Sequence, residues 1–424
     1  MRPGVLRYLS GLALLILGTV RLACAHGILL GAGTHITGVP TAQSPQFQLA
    51  RKIGFDTLRD DLPWSDLERA QGVYRLPPAW DRYVDEARQH GIEPLIILDY
   101  GNRFYDGGDK PRSPRAVAAF VRYALFVVKH FAGRVRYFEI WNEWDTHAGG
   151  FPSGDADDYA RLFWAVFPAV KAADPSAVFL ASARAGGRNE WYEQIARLGI
   201  AARADAVAVH PYVFPHRSIF GRSSAPDEAE RSAQQVIDIE STMRALSGGK
   251  TIPLYITEVG WPTSTDESGV TEGAAAALAE RMLLLFSTLP YVHGVWWYDL
   301  VDDGPDGGNA QDRFGLLRQN LSFKPAALAI QSIARLIKNN DLTLSPAADL
   351  ADGTVVIDRN SRSQPALIAW RIGSAERGAV KPAPQHATRC DSAQQVLSLA
   401  MTATPTVFLY GNGGCTRAAL TGPN

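Results

Sequence analysis

The segment at positions 138–145 reads Phe-Glu-Ile-Trp-Asn-Glu-Trp-Asp and closes an apolar run that begins at Val135. Short apolar runs bounded by polar or glycine-rich segments are typical of buried β-strands. Further runs of this kind lie on both sides of it, between His26 and about Leu336. In chain order, the eight candidate strands are Ile28–His35, Phe55–Arg59, Glu93–Leu98, Val135–Trp141, Ala177–Ala181, Ala204–Val209, Ile252–Thr257 and Gly294–Tyr298.

Amphipathic segments separate these runs, with apolar residues recurring every three or four positions, as expected of helices packed on a sheet. They include Pro114–His130, Asp155–Ala173, Glu230–Leu246 and Glu272–Ser287. Eight strands that alternate with helices predict an α/β fold, and specifically one (β/α)8 barrel, the TIM barrel. An open doubly wound sheet is the alternative. It is disfavoured because no glycine-rich phosphate-binding turn follows the first run.

The sequence changes character after the closing helix, which is predicted from about Pro325 to Ile337. Short candidate strands follow at Gly353–Asp358, Ala366–Arg371 and Thr404–Tyr410, with polar turns between them. We therefore predict a (β/α)8 barrel over residues 26–339 and a small all-β, sandwich-like domain over residues 340–424.

The first 25 residues are typical of an export signal. Arg2 and Arg7 precede an apolar stretch from Leu9 to Val20, and Ala23-Cys24-Ala25 supplies a small-x-small cleavage site. The stretch is shorter than the roughly 20 residues that span a bilayer, which argues against a membrane anchor. We expect cleavage before His26 and a mature protein that is periplasmic or extracellular, with no membrane association.

The charge balance and the cysteine content of the sequence limit the possible partners and the redox environment. The chain has 42 Lys and Arg against 43 Asp and Glu and no polybasic stretch, so nucleic acid is not an expected partner. Cys390 and Cys415 are the cysteines that remain after cleavage. Export to an oxidising compartment favours a disulfide between them, with two free thiols as the alternative.

The carboxyl-terminal ends of barrel strands meet at one mouth, where active sites of this fold lie. Two predicted strands deliver a glutamate there, Glu143 after the fourth and Glu258 after the seventh. Strands 4 and 7 lie on opposite sides of a barrel, so the two carboxyls can flank a bound substrate. Retaining hydrolysis of a glycosidic bond needs such a pair, about 5–5.5 Å apart. Two solvated strand-end glutamates are the simpler alternative.

Trp141-Asn142-Glu143 resembles the acid/base motif of the large clan of retaining glycoside hydrolases built on (β/α)8 barrels. Thr257-Glu258-Val259-Gly260-Trp261 resembles the nucleophile strand of the same clan. The resemblance is to glycoside hydrolase family 39 in particular, especially its bacterial members that cut exopolysaccharides, with family 5 as the second choice. It implies double displacement, with Glu143 as acid/base and Glu258 as nucleophile. Asn-Glu-Trp-Asp stands where Asn-Glu-Pro is commoner, which predicts a different leaving-group subsite.

The resemblance also implies roles for the residues around the two glutamates. Asn142 is expected to bind the substrate 2-hydroxyl, and Arg59 to keep the nucleophile ionised. His210 and Tyr212 are expected to position the two carboxylates, and Trp297 to form the floor of the subsite where the bond is cleaved. Further aromatic residues near strand ends are candidates for sugar subsites: Trp144, Trp261 and Trp296.

Other polar residues have simpler interpretations. Glu139 shares the strand face of Glu143 and is interpreted as a buried partner for an arginine. None of the nine histidines is spaced with a carboxylate as metal ligands are, so we expect no metal and no cofactor.

The sequence therefore predicts a secreted retaining β-glycoside hydrolase whose partner is a poly- or oligosaccharide. The leading hypothesis is endo-acting cleavage of a bacterial exopolysaccharide. An exo-acting enzyme similar to β-xylosidases is the second hypothesis. A catalytically silent, carbohydrate-binding envelope protein is the alternative from another class.

Overall fold

The computed structural model describes residues 27–36, 44–184, 186, 189–214, 227–345, 354–360, 366–371, 406–409 and 416–418. The predicted export signal and the predicted Cys390–Cys415 disulfide lie outside these residues. Among the helices described, none is both long enough and apolar enough to cross a membrane.

Eight parallel strands close into a barrel. They are β1 (Leu29–Gly33), β2 (Thr57–Pro63), β3 (Glu93–Asp99), β4 (Tyr137–Ile140), β5 (Val178–Ala181), β6 (Ala206–Val209), β7 (Leu254–Val259) and β8 (Val292–Trp297). Each strand pairs with its neighbour in sequence, and β8 pairs with β1 to close the ring. The predicted (β/α)8 barrel is confirmed. Most of its strand residues are apolar because both faces of the sheet are covered, whereas β2 carries Arg59, Asp60 and Asp61.

Helices surround the barrel. They are α1 (Ser44–Ile53), α2 (Trp64–Leu67), α3 (Pro78–Gln89), α4 (Pro114–Phe131), α5 (Ala156–Ala173), α6 (Asn189–Arg197), α7 (Ile200–Arg203), α8 (Glu228–Leu246), α9 (Glu272–Ser287) and α10 (Pro325–Asn339). Local sequence sets where several of them begin. Ser113, Asp155 and Thr271 precede α4, α5 and α9, and each side chain accepts a hydrogen bond from a backbone N–H of the first turn. Proline in the first turn favours the starts of α3, α4 and α10.

Trp296 fills the centre of the barrel. Its indole is fully buried in a cluster of inward-facing side chains that includes Leu95 and Tyr255. Gly31 makes room for this ring, since a Cβ there would lie 2.8 Å from Cδ1 of Trp296 and 2.4 Å from the carbonyl oxygen of Thr57. The interpretation of Trp296 as a sugar subsite is therefore wrong, because the residue belongs to the barrel core.

A second sheet follows the barrel. Its strands are β9 (Asp341–Leu344), β10 (Thr354–Asn360), β11 (Ala366–Arg371), β12 (Thr406–Leu409) and β13 (Thr416–Ala418). They form one antiparallel sheet in the order β13-β12-β11-β10-β9. The predicted all-β character of this region is confirmed. The described strands make a single layer, so the second layer of a sandwich has no counterpart among them.

The second sheet packs on the barrel helices. Trp370 of β11 donates a hydrogen bond from Nε1 to Oε1 of Glu230 on α8, at 2.8 Å, and both side chains are buried. Nε of Arg281 on α9 lies 3.3 Å from the same carboxylate oxygen. The tryptophan is therefore a packing residue between the sheet and two barrel helices.

Candidate active site

A cavity of about 860 Å³ opens at the carboxyl-terminal ends of the barrel strands. Its wall includes Arg59 from β2, Asn142 and Glu143 after β4, Tyr212 after β6, and Glu258 from β7. The structure thus brings both predicted glutamates and three of their predicted partners to the mouth of the barrel, where the fold places its active sites.

The backbone after β4 is bent to aim Glu143 into the cavity. Trp141 and Glu143 have φ values of 70° and 45°, in the left-handed region that side chains other than glycine rarely adopt. The backbone N–H of Thr146 donates to the carbonyl of Glu143 at 3.1 Å and closes the turn. Nζ of the buried Lys110 donates to the carbonyls of Pro152, at 2.7 Å, and Thr146, at 3.3 Å. These bonds hold a strained backbone in place, as is frequent at functional sites.

The two carboxyl groups lie close together, both next to Nδ1 of His210. Nδ1 of His210 is 2.7 Å from Oε1 of Glu143 and 3.7 Å from Oε2 of Glu258. One carboxylate oxygen of each glutamate lies within 4.8 Å of the other. Retaining glycosidases separate their carboxyls by about 5–5.5 Å, whereas inverting ones leave about 6.5–9.5 Å for a water molecule. The nearest oxygens of the two carboxyls are therefore closer together than the carboxyl groups of inverting enzymes are.

Arg59 connects the strand ends beneath the cavity. Its guanidinium donates from Nη1 to Oε1 of Glu258 at 2.6 Å and from Nε to Oε2 of Glu139 at 3.0 Å. Its Nη2 donates to Oδ1 of Asn142 at 2.8 Å. Both Arg59 and Glu139 are buried, which confirms that Glu139 is the structural partner of an arginine. A planar fork of donors is what lets one side chain hold three acceptors in fixed positions.

Glu258 is held in its charged form. Burial raises the pKa of its carboxyl, but the charges of His210 and Arg59 act in the opposite direction. Hydrogen bonds from Arg59 and from the Tyr212 hydroxyl, at 3.0 Å, add to that effect. The pKa of Glu258 is therefore below its ordinary value, and the side chain is a carboxylate at neutral pH.

His210 is fully buried and bonded at both ring nitrogens. Its Nε2 lies 2.9 Å from Oγ1 of Thr257, opposite the Nδ1 contact with Glu143. Burial lowers the pKa of His210, but the charge of Glu258 and the hydrogen bond to Glu143 outweigh it, so the pKa is above its ordinary value. Thr257 orients this ring and was missed by the sequence analysis. Its place directly before Glu258 in a fully buried strand was the available signal.

Asn142 has a fixed orientation in the wall of the cavity. Its Oδ1 accepts from Arg59, and its Nδ2 donates to the hydroxyl of Tyr100 at 3.1 Å. Because both ends of the amide have assigned partners, the orientation of the group follows from its hydrogen bonds.

The predicted tryptophan subsites are not where the sequence analysis placed them. Trp144, Trp261 and Trp297 are at most 2% exposed, and none lines the cavity. Each indole Nε1 donates to a backbone carbonyl, of Asp155, Val213 and Phe314 respectively. These three predictions are wrong, because the rings pack within the protein wall.

Tyr298 takes the place that was predicted for Trp297. Side chains alternate between the two faces of a strand. Trp296 points into the barrel, so Trp297 points outward, where its ring lies 5.9 Å from that of Trp261. Tyr298 returns to the inner face at the mouth and lines the cavity. Applied to this run of aromatic residues, the alternation rule would have selected Tyr298.

Two groups of described residues bring three possible metal ligands within 4.8 Å of one another: Glu143, His210 and Glu258, and His35, Asp299 and Asp303. The hydrogen bond to Asp303 raises the pKa of His35 to about 10, so this imidazole is protonated at neutral pH and offers no lone pair. Both nitrogens of His210 have partners within the protein. We assign no metal to either group.

Solved structures of glycoside hydrolases share this architecture. A family 39 glycoside hydrolase from the gut symbiont Bacteroides cellulosilyticus WH2 aligns with a TM-score of 0.70 and 24% identity, over 93% of this chain and 80% of that one. The chain has the fold of these enzymes. A monomeric β-xylosidase from Caulobacter crescentus CB15 aligns with a TM-score of 0.60 and 20% identity, over 85% and 75%.

A GH5_18 enzyme from Streptomyces cattleya, solved in complex with GlcNAc, aligns with a TM-score of 0.59 and 18% identity, over 74% of this chain and 81% of that one. No protein-family model matches the sequence, and neither does any curated protein. The resemblance to families 39 and 5 is therefore confirmed at the level of the fold, and activity has to be argued from the site.

Proposed function

We propose that this protein is a retaining β-glycoside hydrolase with Glu143 as acid/base and Glu258 as nucleophile. The observation that carries the proposal is the pair of carboxyls within 4.8 Å at the barrel mouth. Their surroundings differ as the two roles require. Glu258 is ion-paired with Arg59, whereas the Glu143 carboxyl contacts His210 and Thr146. The similarity to solved glycoside hydrolases supports the same assignment.

In the first step, a carboxylate oxygen of Glu258 attacks the anomeric carbon of the bound sugar. The bond from that carbon to the glycosidic oxygen breaks, and Glu143 gives its proton to the departing oxygen. Arg59 and Tyr212 hold the attacking carboxylate in position through both of its oxygens. Asn142 faces the same cavity, and we assign it to the substrate 2-hydroxyl.

In the second step, Glu143 acts as a base. Formation of the ester at Glu258 removes one negative charge from the pair, and Glu143 is by then a carboxylate. It takes a proton from a water molecule as the water oxygen bonds to the anomeric carbon and the ester to Glu258 breaks. Both carboxyls return to their starting states, and the configuration of the sugar is retained.

The first test of this mechanism is the anomer that forms first. Proton NMR of a fresh reaction on an aryl β-glycoside is expected to show the β-anomer before mutarotation. Initial release of the α-anomer would mean inversion and would overturn the roles given to the two glutamates. Binding of glycans without any turnover would favour the silent carbohydrate-binding protein.

The proposed substrate is a polysaccharide, cut internally, and specifically a bacterial exopolysaccharide. A cavity of about 860 Å³ lies at the upper end of the range for small-molecule pockets, roughly 300–1,000 Å³, which favours more than one sugar residue. Aromatic side chains in its wall, Tyr100, Tyr298 and the exposed Phe214, can stack on sugar faces. The similarity to a β-xylosidase favours the exo-acting alternative. Oligosaccharides in the first minutes of digestion would support endo cleavage, and monosaccharides would support exo cleavage.

We further propose that the protein is exported and that Cys390 and Cys415 are joined. The proposed domains are a barrel over residues 26–339 and a β domain over residues 340–424, supported by the step from α10 to β9 at Asn339 and Asp341. Intact mass of protein recovered from periplasm and medium would test these points. The expected mass is that of a chain that begins at His26. A thiol reagent should not increase this mass until the protein has been reduced.

A further inference from the structure

The carboxyl of Glu143 is held from both sides. Oε1 lies 2.7 Å from Nδ1 of His210, and Oε2 lies 3.1 Å from Oγ1 of Thr146. Thr146 follows Glu143 by three residues, at the end of the turn that the backbone hydrogen bond between them closes. Nζ of Lys110, 3.3 Å from the Thr146 carbonyl, anchors the backbone of the threonine.

The hydroxyl of Thr146 has one proton and two possible acceptors. Oγ1 lies 3.1 Å from Oε2 of Glu143 and also 3.1 Å from the carbonyl oxygen of Glu143. Oγ1 in turn accepts the backbone N–H of Ala148 at 3.1 Å, which fixes its position. The Glu143 carbonyl already accepts the backbone N–H of Thr146, so it has a partner whichever way the hydroxyl proton points.

The charge on Glu143 decides between these acceptors. Hydrogen bonds to an ionised acceptor are roughly twice as strong as neutral ones, so the hydroxyl donates to Oε2 when Glu143 is a carboxylate. When Oε2 carries the proton, the hydroxyl donates to the carbonyl and Oε2 is free to donate to a substrate. The hydroxyl proton changes acceptor by rotation about the Cβ–Oγ1 bond of Thr146 alone.

We infer that Thr146 is a positioning residue for Glu143, a hydroxyl that stabilises its carboxylate form opposite His210. Within the proposed function, on which the catalytic part of the inference rests, the threonine supports the state that Glu143 needs as base in the second step. It also leaves the acid form free to donate in the first step.

The direct test reads the charge of Glu143 without any substrate. The full chain is labelled with glutamate carrying 13C at Cδ, and the Glu143 resonance is assigned by its loss in Glu143→Gln. Thr146→Val keeps the shape and removes the hydroxyl, which is the donor to Glu143 and the acceptor of the Ala148 N–H, so the charged form is destabilised. We expect the titration midpoint to rise by about one pH unit, with Thr146→Ser titrating like the unmodified protein.

An unchanged midpoint in a folded Thr146→Val protein would overturn the inference, and so would an equal shift in Thr146→Ser. Thermal melts of the three proteins establish that each is folded. If aryl glycosides are turned over, the alkaline limb of the kcat/KM profile should rise with the midpoint in Thr146→Val. Absence of turnover in the unmodified protein would count against the proposed function, while the NMR midpoint would still decide the role of Thr146.

Discussion

Arg59 and Glu258 form a buried ion pair, with Nη1 of the arginine 2.6 Å from Oε1 of the glutamate. The same guanidinium binds Glu139 and Asn142, so one side chain joins β2, β4 and β7 at the barrel mouth. A buried charge without a partner is costly, and each of these groups depends on the others for its ionised or oriented state. The site is therefore part of what stabilises the barrel.

Replacing Arg59 is expected to affect stability and activity together. Arg59→Met leaves the carboxylates of Glu139 and Glu258 buried without their partner, which should cost about 3–5 kcal/mol of unfolding free energy. Urea denaturation measures this cost. Arg134, whose ion pairs with Asp81 and Asp85 are partly exposed, is the control, and Arg134→Met should cost about 0–1 kcal/mol. Equal losses of unfolding free energy in the two variants would contradict the claim that the buried ion pairs of Arg59 stabilise the barrel.

The two glutamates should respond differently to the leaving group. Glu143→Gln removes the acid and should lower kcat/KM about 10²–10⁴-fold on phenyl glycosides. Dinitrophenyl glycosides need little protonation, so the same variant should lose far less on them in the first step. Glu258→Gln should be inactive on both. Parallel losses for both variants on both substrates would count against separate roles.

The hydroxyl of Tyr212 should set part of the acidic limit of activity. Glu258 acts as a carboxylate, and its lowered pKa keeps it ionised below the ordinary range of a glutamate. Tyr212→Phe removes one hydrogen-bond donor to the ionised Glu258, so the pKa of Glu258 should rise. As the pH is lowered, activity should therefore be lost at a higher pH than in the unmodified protein. We expect the acidic limb of kcat/KM to move upward by about 0.5–1 pH unit.

Tyr74→Phe provides a matched control for Tyr212→Phe. Its hydroxyl faces the carbonyl of Ala119 outside the cavity, and removing it should leave the acidic limb in place. If the acidic limb shifts equally in both variants, or in neither, the Tyr212 hydroxyl does not set the pKa of Glu258.

The aromatic residues of β8 should separate substrate binding from folding. Tyr298 lines the cavity, whereas Trp297 is buried behind it with Nε1 bonded to the carbonyl of Phe314. Tyr298→Ala should raise KM several-fold with a small change in melting temperature. Trp297→Phe should lower the melting temperature and leave KM within about twofold, since losing one buried hydrogen bond costs about 1–3 kcal/mol. The reverse pattern would restore Trp297 as the floor of the subsite.

Much of the barrel follows from the sequence because its strands are covered on both faces and appear as apolar runs. Errors occur where polar chemistry enters a strand. The second strand was predicted to end at Arg59, but it continues through Asp60 and Asp61 to Pro63, and both aspartates belong to the wall of the cavity. Glu143 and Glu258 were found because a carboxyl at the end of a buried strand is conspicuous.

Two threonines of the site, Thr257 beside His210 and Thr146 beside Glu143, were not predicted. Thr257 and Thr146 act through single hydrogen bonds whose geometry depends on how strands and turns pack, and a threonine in a strand or turn is unremarkable in a sequence. Trp297 was selected because the resemblance implies a tryptophan at the end of strand 8, whereas the alternation of side chains along β8 places Tyr298 at the cavity. Residue type predicted the chemistry, and orientation had to come from the structure.

Covalent trapping tests directly whether Glu258 is the nucleophile. The protein would be incubated with 2-fluoro-glycosyl inactivators of several sugars and digested, and the peptides analysed by mass spectrometry. If Glu258 is the nucleophile, a single adduct forms on the peptide that contains Glu258. It is absent from Glu258→Gln and still forms when an inactivator with a good leaving group is added to Glu143→Gln. An adduct on Glu143 or another residue, or time-dependent inactivation that persists in Glu258→Gln, would contradict it.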